Sequence, residues 1–329
     1  MGIFNKLTVS AFAIGLGAGT ASADELKLAD FQPPTHFIVE KVYTPFAEAV
    51  SEATGGDVTV EVFMGGELGP GPAEQYNRVV DGVADIAFSL PGYTASNFPM
   101  TLLAELPGVI DAETGTQQIV EHLDMLSDEY RRVHLVALWN NAPNLLLMAE
   151  KPVETLDDLS GLNIRVPSRN AGLVVQAWGA NPVSMPAPEI YNAMQTGVID
   201  GAMIDATTLN AFKLAEVTTY VTQGMDSTIS EFFMIMNRDV FADLDASAQD
   251  AITEAGKQAA LNGHAAWQTA AEGALDAFEA TEGKQVITLS DEEAARFNAA
   301  SEAVVAQIIS DAEAEGIAAQ AYIDALKGN

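Results

Sequence analysis

Residues 57–64 read Asp57-Val-Thr-Val-Glu-Val-Phe-Met64, an alternation of polar and apolar side chains that is typical of a β-strand. Similar stretches lie on either side, at Glu25–Phe31 and at Ala84–Leu90. Apolar residues with helical spacing fill the two intervals, over residues 36–53 and from Pro72 to Val83. This β-α-β-α-β order predicts an α/β fold with a mostly parallel sheet covered by helices.

A second α/β series follows after a predicted helix near residues 114–129. Its predicted elements are strands at Val133–Trp139, Leu145–Ala149, Leu162–Val166, near Val183, Ile199–Ile204 and Glu231–Asn237, and helices at 169–179 and 187–196. Beyond Asp245 the sequence reads as almost wholly helical. Since no flexible linker divides the series, we expect two lobes that share crossing strands. The predicted bounds are 24–142 plus 231–270 for lobe I and 143–230 plus 271–329 for lobe II.

The composition excludes several classes of protein. The 329 residues carry 46 acidic and 15 basic side chains, a formal net charge of -31, which argues against binding to nucleic acid or to an anionic membrane. The chain has no cysteine and only four histidines, without a zinc-binding spacing. We therefore expect no metal and no cofactor.

The N-terminus has the pattern of a secretory signal peptide. Lys6 precedes an apolar run over Leu7–Leu16, and Ala21-Ser22-Ala23 matches a cleavage site. We expect cleavage before Asp24 and export to the periplasm, without a lipid anchor because there is no cysteine to carry one.

A search for catalytic motifs finds no nucleophile elbow, Walker loop or dinucleotide-binding fingerprint. The acidic clusters Asp157-Asp158 and Asp291-Glu292-Glu293 come at predicted helix starts, where carboxylates complement the helix dipole. The prediction is a binding protein and not an enzyme. A secreted hydrolase is the competing class.

Arg165 is the most informative charged residue. It lies near the carboxyl end of a predicted apolar strand, just before Pro167, where open α/β sheets present groups to a ligand. A guanidinium on a buried strand needs an anionic partner. Position alone leaves two sources open, namely a ligand carboxylate and one of the chain's own acids.

Other candidates for the binding cleft stand at predicted strand ends or in the loops that follow them. Asn141 and Asn144 could donate hydrogen bonds to a ligand or form a turn beside Pro143. The aromatic and imidazole candidates are Phe31, His36, Tyr93, Trp139 and Phe232.

Three stretches of the sequence resemble the TRAP-type solute-binding proteins of the DctP family. They are Phe63-Met-Gly-Gly-Glu-Leu-Gly69 with Gly82-Val-Ala-Asp-Ile86, then Leu156-Asp-Asp-Leu-Ser-Gly-Leu-Asn-Ile-Arg-Val-Pro167, then Trp178-Gly-Ala-Asn-Pro-Val183 with Pro188–Gly201. The resemblance implies a periplasmic-binding-protein fold (type II-like) with two lobes around a cleft, hinge closure and a long helix spanning both lobes. It also implies that Arg165 pairs with the ligand's carboxylate. The predicted site further includes Glu67, Ser168, Met203 and Asp205.

The resemblance also implies a small organic acid as ligand and membrane permease subunits as partners, and we expect a monomer. Many relatives have a second arginine in the preceding strand, but residues 139–145 contain none. We therefore expect a monocarboxylate with an apolar or aromatic body. The alternative is a zwitterionic osmolyte whose cationic end rests on aromatic faces, helped by Asp205.

Overall fold

The computed structural model describes residues 24–328, and the predicted signal peptide lies outside these residues. Within this range, eleven strands form two sheets, each covered by helices. We refer to the five-stranded sheet and its helices as lobe I and to the six-stranded sheet and its helices as lobe II. The α/β fold with two lobes is confirmed.

The strands are β1 (Asp24–Ala29), β2 (Val58–Phe63), β3 (Ile86–Ser89), β4 (Val133–Asn140), β5 (Leu145–Met148), β6 (Asn163–Val166), β7 (Asn181–Ser184), β8 (Gly201–Ile204), β9 (Tyr220–Gln223), β10 (Glu231–Asn237) and β11 (Gln285–Thr288). The α-helices are α1 (Thr44–Ala53), α2 (Gln75–Val80), α3 (Gly115–Glu121), α4 (Arg169–Ala177), α5 (Ile190–Gln195), α6 (Thr207–Ala211), α7 (Arg238–Asp243), α8 (Ala246–Glu279), α9 (Asp291–Ala314) and α10 (Ala319–Leu326).

Each sheet contains one reversed strand. The order in lobe I is β2-β1-β3-β10-β4, and β10 is antiparallel to both of its neighbours. In lobe II the order is β11-β9-β5-β8-β6-β7, and β5 is antiparallel to β8 and β9. The predicted parallel pairing holds for β1, β2 and β3. The sheet as a whole is mixed.

The reversed strands are those that the chain enters directly from the other lobe. β4 leads through residues 141–144 into β5, and β9 leads through residues 224–230 back into β10. A strand that starts at the boundary between the lobes runs away from it, whereas strands that follow a helix run toward it. The two crossings therefore explain both reversals.

Helix α8 spans both lobes, as the resemblance implied. Its 34 residues extend over about 51 Å. It contacts α1 and β4 of lobe I as well as α6 and β11 of lobe II. Alanine and glycine dominate its buried face, and these small side chains allow the helix to lie close to β4.

The C-terminal third departs from the sequence prediction in one respect. Strand β11 interrupts the stretch predicted to be almost wholly helical and pairs in parallel with β9. The sequence analysis predicted neither of these two strands. Helix α10 packs into the core of lobe I through Tyr322 and Ile323, although its residues fall in the range predicted for lobe II. The lobe bounds stay a prediction. Among residues 24–328, no helix is long and apolar enough to cross a membrane.

Candidate functional site

A cavity lies between the lobes, where the carboxyl ends of β1, β3, β4, β6 and β8 converge. The volume of this cavity is about 40 Å³. Its lining residues come from both lobes and from α8. They are Phe31, Gln32, His36, Phe88, Leu90, Tyr93, Asn141, Asn144, Arg165, Pro167, Ala187, Ile204, Asp205, Thr207, Thr208, Phe212, Ser230, Phe232 and Trp267.

Arg165 supplies the cationic group of this cavity. It stands on β6 between Val183 of β7 and Ala202 of β8, and only 1% of its surface is exposed. Its Nε donates to the Met185 carbonyl at 2.9 Å, and its Nη1 donates to the Met203 carbonyl at 3.3 Å. These two bonds fix the plane of the guanidinium.

Tyr93 holds the guanidinium from the other side of the cleft. The Tyr93 hydroxyl accepts from Arg165 Nη2 at 3.3 Å and from the Ala187 backbone N–H at 3.0 Å. Tyr93 follows β3 in lobe I, whereas Arg165 and Ala187 belong to lobe II. The hydroxyl oxygen therefore connects the lobes at the cavity.

No carboxylate of residues 24–328 forms an ion pair with Arg165. Burial lowers the pKa of Arg165, and Asp205 partly offsets that effect at a distance. Asp205 is itself buried, and its carboxylate accepts from Thr207 N and Oγ1 at 2.9 and 2.5 Å and from Asn141 Nδ2 at 2.9 Å. The cavity thus presents a buried cation whose charge has no direct counter-ion in the protein.

Aromatic rings form one part of the remaining wall. Trp267 of α8 lies 4.6 Å from Phe232 and 5.4 Å from His36, measured between ring centroids. Phe88 lies 5.3 Å from Phe232 and 5.9 Å from Phe31. The cavity therefore combines a cluster of aromatic rings with a guanidinium and a few other polar groups, an arrangement typical of small-molecule sites.

Asn141 and Asn144 line the cavity and also hold the two crossing segments together. The Asn141 side chain accepts from Ser230 N at 2.8 Å, and the Asn144 Nδ2 donates to Thr228 Oγ1 at 2.8 Å. Backbone bonds run in parallel, from Asn141 N to the Ser230 carbonyl and from Asn144 N to the Thr228 carbonyl. These four bonds join the segments at 141–144 and 228–230, which are the predicted hinge.

Eight of the twelve predicted site residues line the cavity: Phe31, His36, Tyr93, Asn141, Asn144, Arg165, Asp205 and Phe232. The other four lie elsewhere. Trp139 is fully buried behind the wall, 5.9 Å from Trp267, and Glu67 is exposed. Ser168 caps α4 and donates to Glu105 at 2.8 Å. Met203 is buried in the core, but its carbonyl accepts from Arg165.

The sequence analysis missed several lining residues, chiefly Trp267, Phe212, Phe88 and Thr207. Trp267 sits on the apolar face of a long helix, and that pattern is indistinguishable from ordinary core packing. Thr207 lies two residues after Asp205, just past the end of β8. Because β8 neighbours β6, which carries Arg165, this position could have been predicted to face the same site.

A pair of buried acids lies next to the hinge. Glu105 accepts from Ser168 Oγ of lobe II, and burial raises its pKa to about 7. Burial and the neighbouring Glu105 raise the pKa of Glu231 well above its usual value. Neither carboxyl oxygen of Glu231 has a hydrogen-bond partner among the described residues.

The cavity can bind and orient an anion. In the part of the chain that the structure describes, no group of three or more histidine, aspartate and glutamate side chains could hold a metal ion.

Trp178, quoted in the third sequence motif, lies in the core of lobe II and donates to Ser301 Oγ at 2.9 Å.

Comparison with known families and proteins finds relatives of this chain. The family described as bacterial extracellular solute-binding protein, family 7 (DctP), matches residues 28–311. A curated relative, the ectoine/5-hydroxyectoine-binding periplasmic protein UehA of Ruegeria pomeroyi, is 28% identical over 311 residues, which cover 92% of this chain and 90% of that protein. The alignments with two further curated relatives, from Salmonella typhimurium and Albidiferax ferrireducens, cover 59% and 66% of those proteins.

Two solved structures share the fold over almost their whole length. One is a marine metagenome TRAP solute-binding protein specific for aromatic acid ligands, in complex with metahydroxyphenylacetate, with a TM-score of 0.86 and 27% identity over 93% of this chain and 98% of that chain. The other is a TRAP periplasmic solute-binding protein of Bordetella bronchiseptica with bound (R)- and (S)-mandelate. Its TM-score is 0.84 and its identity 28%, over 92% of this chain and 98% of that chain.

Proposed function

Because the chain belongs to the bacterial extracellular solute-binding proteins of family 7 (DctP), we propose that it captures a monocarboxylate with an apolar or aromatic body for a TRAP transporter. The family and the solved relatives are solute-binding transport proteins and not enzymes. In this proposal the lobes close on the acid, and the loaded protein delivers it to the membrane permease.

The unpaired guanidinium of Arg165 is the observation that carries the proposal. Removing a charge from water costs several kcal/mol unless a counter-charge and hydrogen bonds replace the water. Carbonyl and hydroxyl oxygens satisfy part of the guanidinium, but no carboxylate of the described chain pairs with it. A ligand carboxylate in the cavity supplies the missing charge and can accept two parallel hydrogen bonds.

The shape and polarity of the cavity favour an apolar or aromatic body. Phe31, Phe88, Phe232 and Trp267 line the cavity together with Arg165, and burial of apolar surface contributes about 25 cal/mol per Å². The lining residues include no second arginine or lysine. A second carboxylate would therefore lose its hydration without gaining a counter-charge. The aromatic acids bound by the two solved relatives are consistent with this proposal.

A zwitterionic osmolyte is the second candidate. Two relatives are named as ectoine-binding proteins, and the rings of Trp267, Phe232 and Phe212 could cover a delocalised cation. Asp205, the acid proposed to assist such a cation, already accepts three hydrogen bonds from Thr207 and Asn141. The protein's own donors therefore occupy three of the roughly four acceptor positions of this carboxylate, which leaves about one for a ligand cation.

Isothermal titration calorimetry of the mature protein tests the choice. The panel contains benzoate, mandelate, succinate and ectoine. We expect binding of the aromatic acids and none of succinate. Tight binding of succinate or ectoine with silence from both aromatic acids would contradict the proposal.

Arg165→Ala should weaken binding of the preferred acid by about thirty- to several-thousand-fold, because truncation leaves the ligand's carboxylate buried without its partner. Arg169→Ala is the matched control, since Arg169 is exposed at the start of α4, only four residues away. An unchanged affinity in Arg165→Ala would show that the carboxylate binds elsewhere.

Export to the periplasm is part of the same proposal. The pattern in residues 1–23 predicts cleavage before Asp24, the first residue of β1. Protein recovered from the periplasm should begin at Asp24 when its N-terminus is determined, whereas a chain that begins at Met1 would contradict the expectation.

A further inference from the structure

We infer that His36 donates a hydrogen bond to a polar substituent on the body of the ligand, so that the site selects hydroxy- or oxo-substituted aromatic acids over unsubstituted ones. The inference rests on the proposed function, because it concerns the same cavity. It adds a second fixed recognition group to the carboxylate-binding Arg165.

The backbone fixes which nitrogen of the His36 ring carries the proton. The Ile38 N–H donates to His36 Nδ1 at 3.1 Å, so Nδ1 acts as an acceptor and bears no hydrogen. In a neutral imidazole the proton then resides on Nε2, which becomes a donor. Nε2 forms no hydrogen bond with another of the described residues, and it is not one of the buried polar atoms that lack a partner, so it retains exposed surface.

The surroundings keep the ring neutral and hold it in place. Burial lowers the pKa of His36 to about 3, so the imidazole is uncharged at neutral pH and Nδ1 remains able to accept. Phe37 stacks on the ring at 4.3 Å between centroids, and Trp267 and Phe212 lie at 5.4 and 6.4 Å. These contacts restrict rotation of the ring.

His36 lines the cavity, so the donor at Nε2 belongs to a residue that a ligand contacts. His36 is 4% exposed. The rings packed around it offer no acceptor oxygen to an N–H. A ligand that fills the cavity displaces water from this donor, so a hydroxyl, ether or carbonyl oxygen of the ligand is the group that can replace the water as acceptor.

Calorimetric titration with benzoate and with 2-, 3- and 4-hydroxybenzoate tests the inference on the unaltered protein. At least one hydroxybenzoate should bind about three- to tenfold more tightly than benzoate, the range expected for one additional hydrogen bond. Equal affinity for all four acids would overturn the role of His36 while leaving the proposed function intact. Failure of all four to bind would overturn both.

Two substitutions separate the nitrogen atoms. His36→Asn keeps an acceptor for the Ile38 N–H but has no donor at the position of Nε2, whereas His36→Gln places an amide N–H near that position. We expect His36→Asn to bring the ratio between the hydroxybenzoate and benzoate affinities close to one, whatever its effect on the affinity for benzoate itself. His36→Gln should retain part of the preference. A full preference in His36→Asn would overturn the inference.

Discussion

At the scale of single residues, the cavity depends on polar atoms contributed from both sides of the cleft. The Tyr93 hydroxyl accepts from a side chain and from a backbone N–H of the opposite lobe. It therefore orients the Arg165 guanidinium and also connects the two lobes. A change at this one oxygen atom should affect binding more than folding.

Tyr93→Phe removes that acceptor with no other change in shape. We expect aromatic acid affinity to fall about three- to thirtyfold, since a hydrogen bond to a charged group contributes about 1.5–3 kcal/mol and the ligand restores part of it. The melting temperature of the ligand-free protein should change little. Calorimetry measures the first quantity and thermal unfolding the second.

Tyr191→Phe is the control for this prediction. It removes a surface hydroxyl that donates to Glu216 at 2.8 Å in lobe II, away from the cavity lining. Equal losses of affinity in the two variants would contradict a specific role for Tyr93.

Glu105 makes the stability of the fold depend on pH. Its folded pKa is raised to about 7 by burial, above the ordinary value of 4.5. Between these values the native state holds more protons than the unfolded state, so the free energy of unfolding decreases as the pH rises. The stabilisation is complete below about pH 4.5 and is lost as the pH rises through about 7.

Glu105→Gln should remove part of this dependence. The amide still offers an oxygen to Ser168 but cannot ionise, so the fall in stability from pH 5 to pH 8 should shrink by on the order of 2 kcal/mol. Urea unfolding at the two pH values measures the change. Glu302→Gln makes the same chemical change at an exposed position and should leave the slope as in the parent.

At the scale of elements, α8 lies so close to β4 that only glycine fits at two positions of their contact. A Cβ atom on Gly256 would lie 2.1 Å from the Val136 carbonyl oxygen, which belongs to the strand backbone. A Cβ on Gly263 would lie 2.6 Å from a ring atom of Trp139. Because Trp139 packs behind Phe232 and Trp267, the fit of α8 also sets the position of the cavity wall.

Gly256→Ala should destabilise the protein by about 1–3 kcal/mol, because the helix and the strand must separate to admit the methyl group. Gly273→Ala is the matched control on the same helix, since nothing lies within 4 Å of its added Cβ. That control should be neutral or more stable by up to about 1 kcal/mol through helix propensity. Equal effects in chemical unfolding would contradict the close packing.

The sequence predicted elements best where the apolar run was long. The seven residues of β10 were predicted at their observed bounds because six consecutive positions are buried on both faces of the sheet. Strands β9 and β11 have four residues each, and polar Thr222 and Gln285 interrupt their pattern. Pairing between distant strands stabilises such short segments, and a local pattern carries no information about it.

The candidate site shows the same difference between residues that a local pattern predicts and residues that only the packing of the folded chain brings to the site. Arg165, Tyr93 and His36 follow or occupy strands, so the rule that ligands bind at carboxyl ends was enough to find them. Trp267 reaches the cavity from a helix more than a hundred residues after Tyr93, and only packing brings the two together. The missing counter-ion of Arg165 likewise depends on which of 46 acids lies nearby, a property of the folded chain alone.

At the scale of the whole molecule, we expect the lobes to open and close around the ligand. Arg165 is almost fully buried at a cavity of about 40 Å³, so we expect a ligand to enter when the lobes separate. The crossing segments at residues 141–144 and 228–230, which a short ladder of hydrogen bonds joins, are the predicted hinge. Saturating ligand should therefore lower the radius of gyration measured by small-angle X-ray scattering.

Contacts between the lobes set how much of the ligand-free protein is closed. Asn170 of α4 donates from Nδ2 to the Leu102 carbonyl of lobe I at 3.1 Å, outside the cavity lining. Asn170→Ala removes this bond without touching a cavity residue. The apparent affinity falls in proportion to the population of the binding-competent state, so we expect a three- to tenfold loss for one lobe-to-lobe bond, about 1 kcal/mol.

The variant separates closure from direct binding, because its ligand-free radius of gyration should rise while its ligand-saturated radius returns to that of the parent. Asn181→Ala is the control, since Asn181 donates to the Gly161 carbonyl at the same 3.1 Å but within lobe II. If Asn170→Ala and Asn181→Ala scatter alike and bind alike, the bond to Leu102 does not hold the lobes together. If only Asn170→Ala shifts both quantities, closure contributes to the affinity for the acid independently of Arg165.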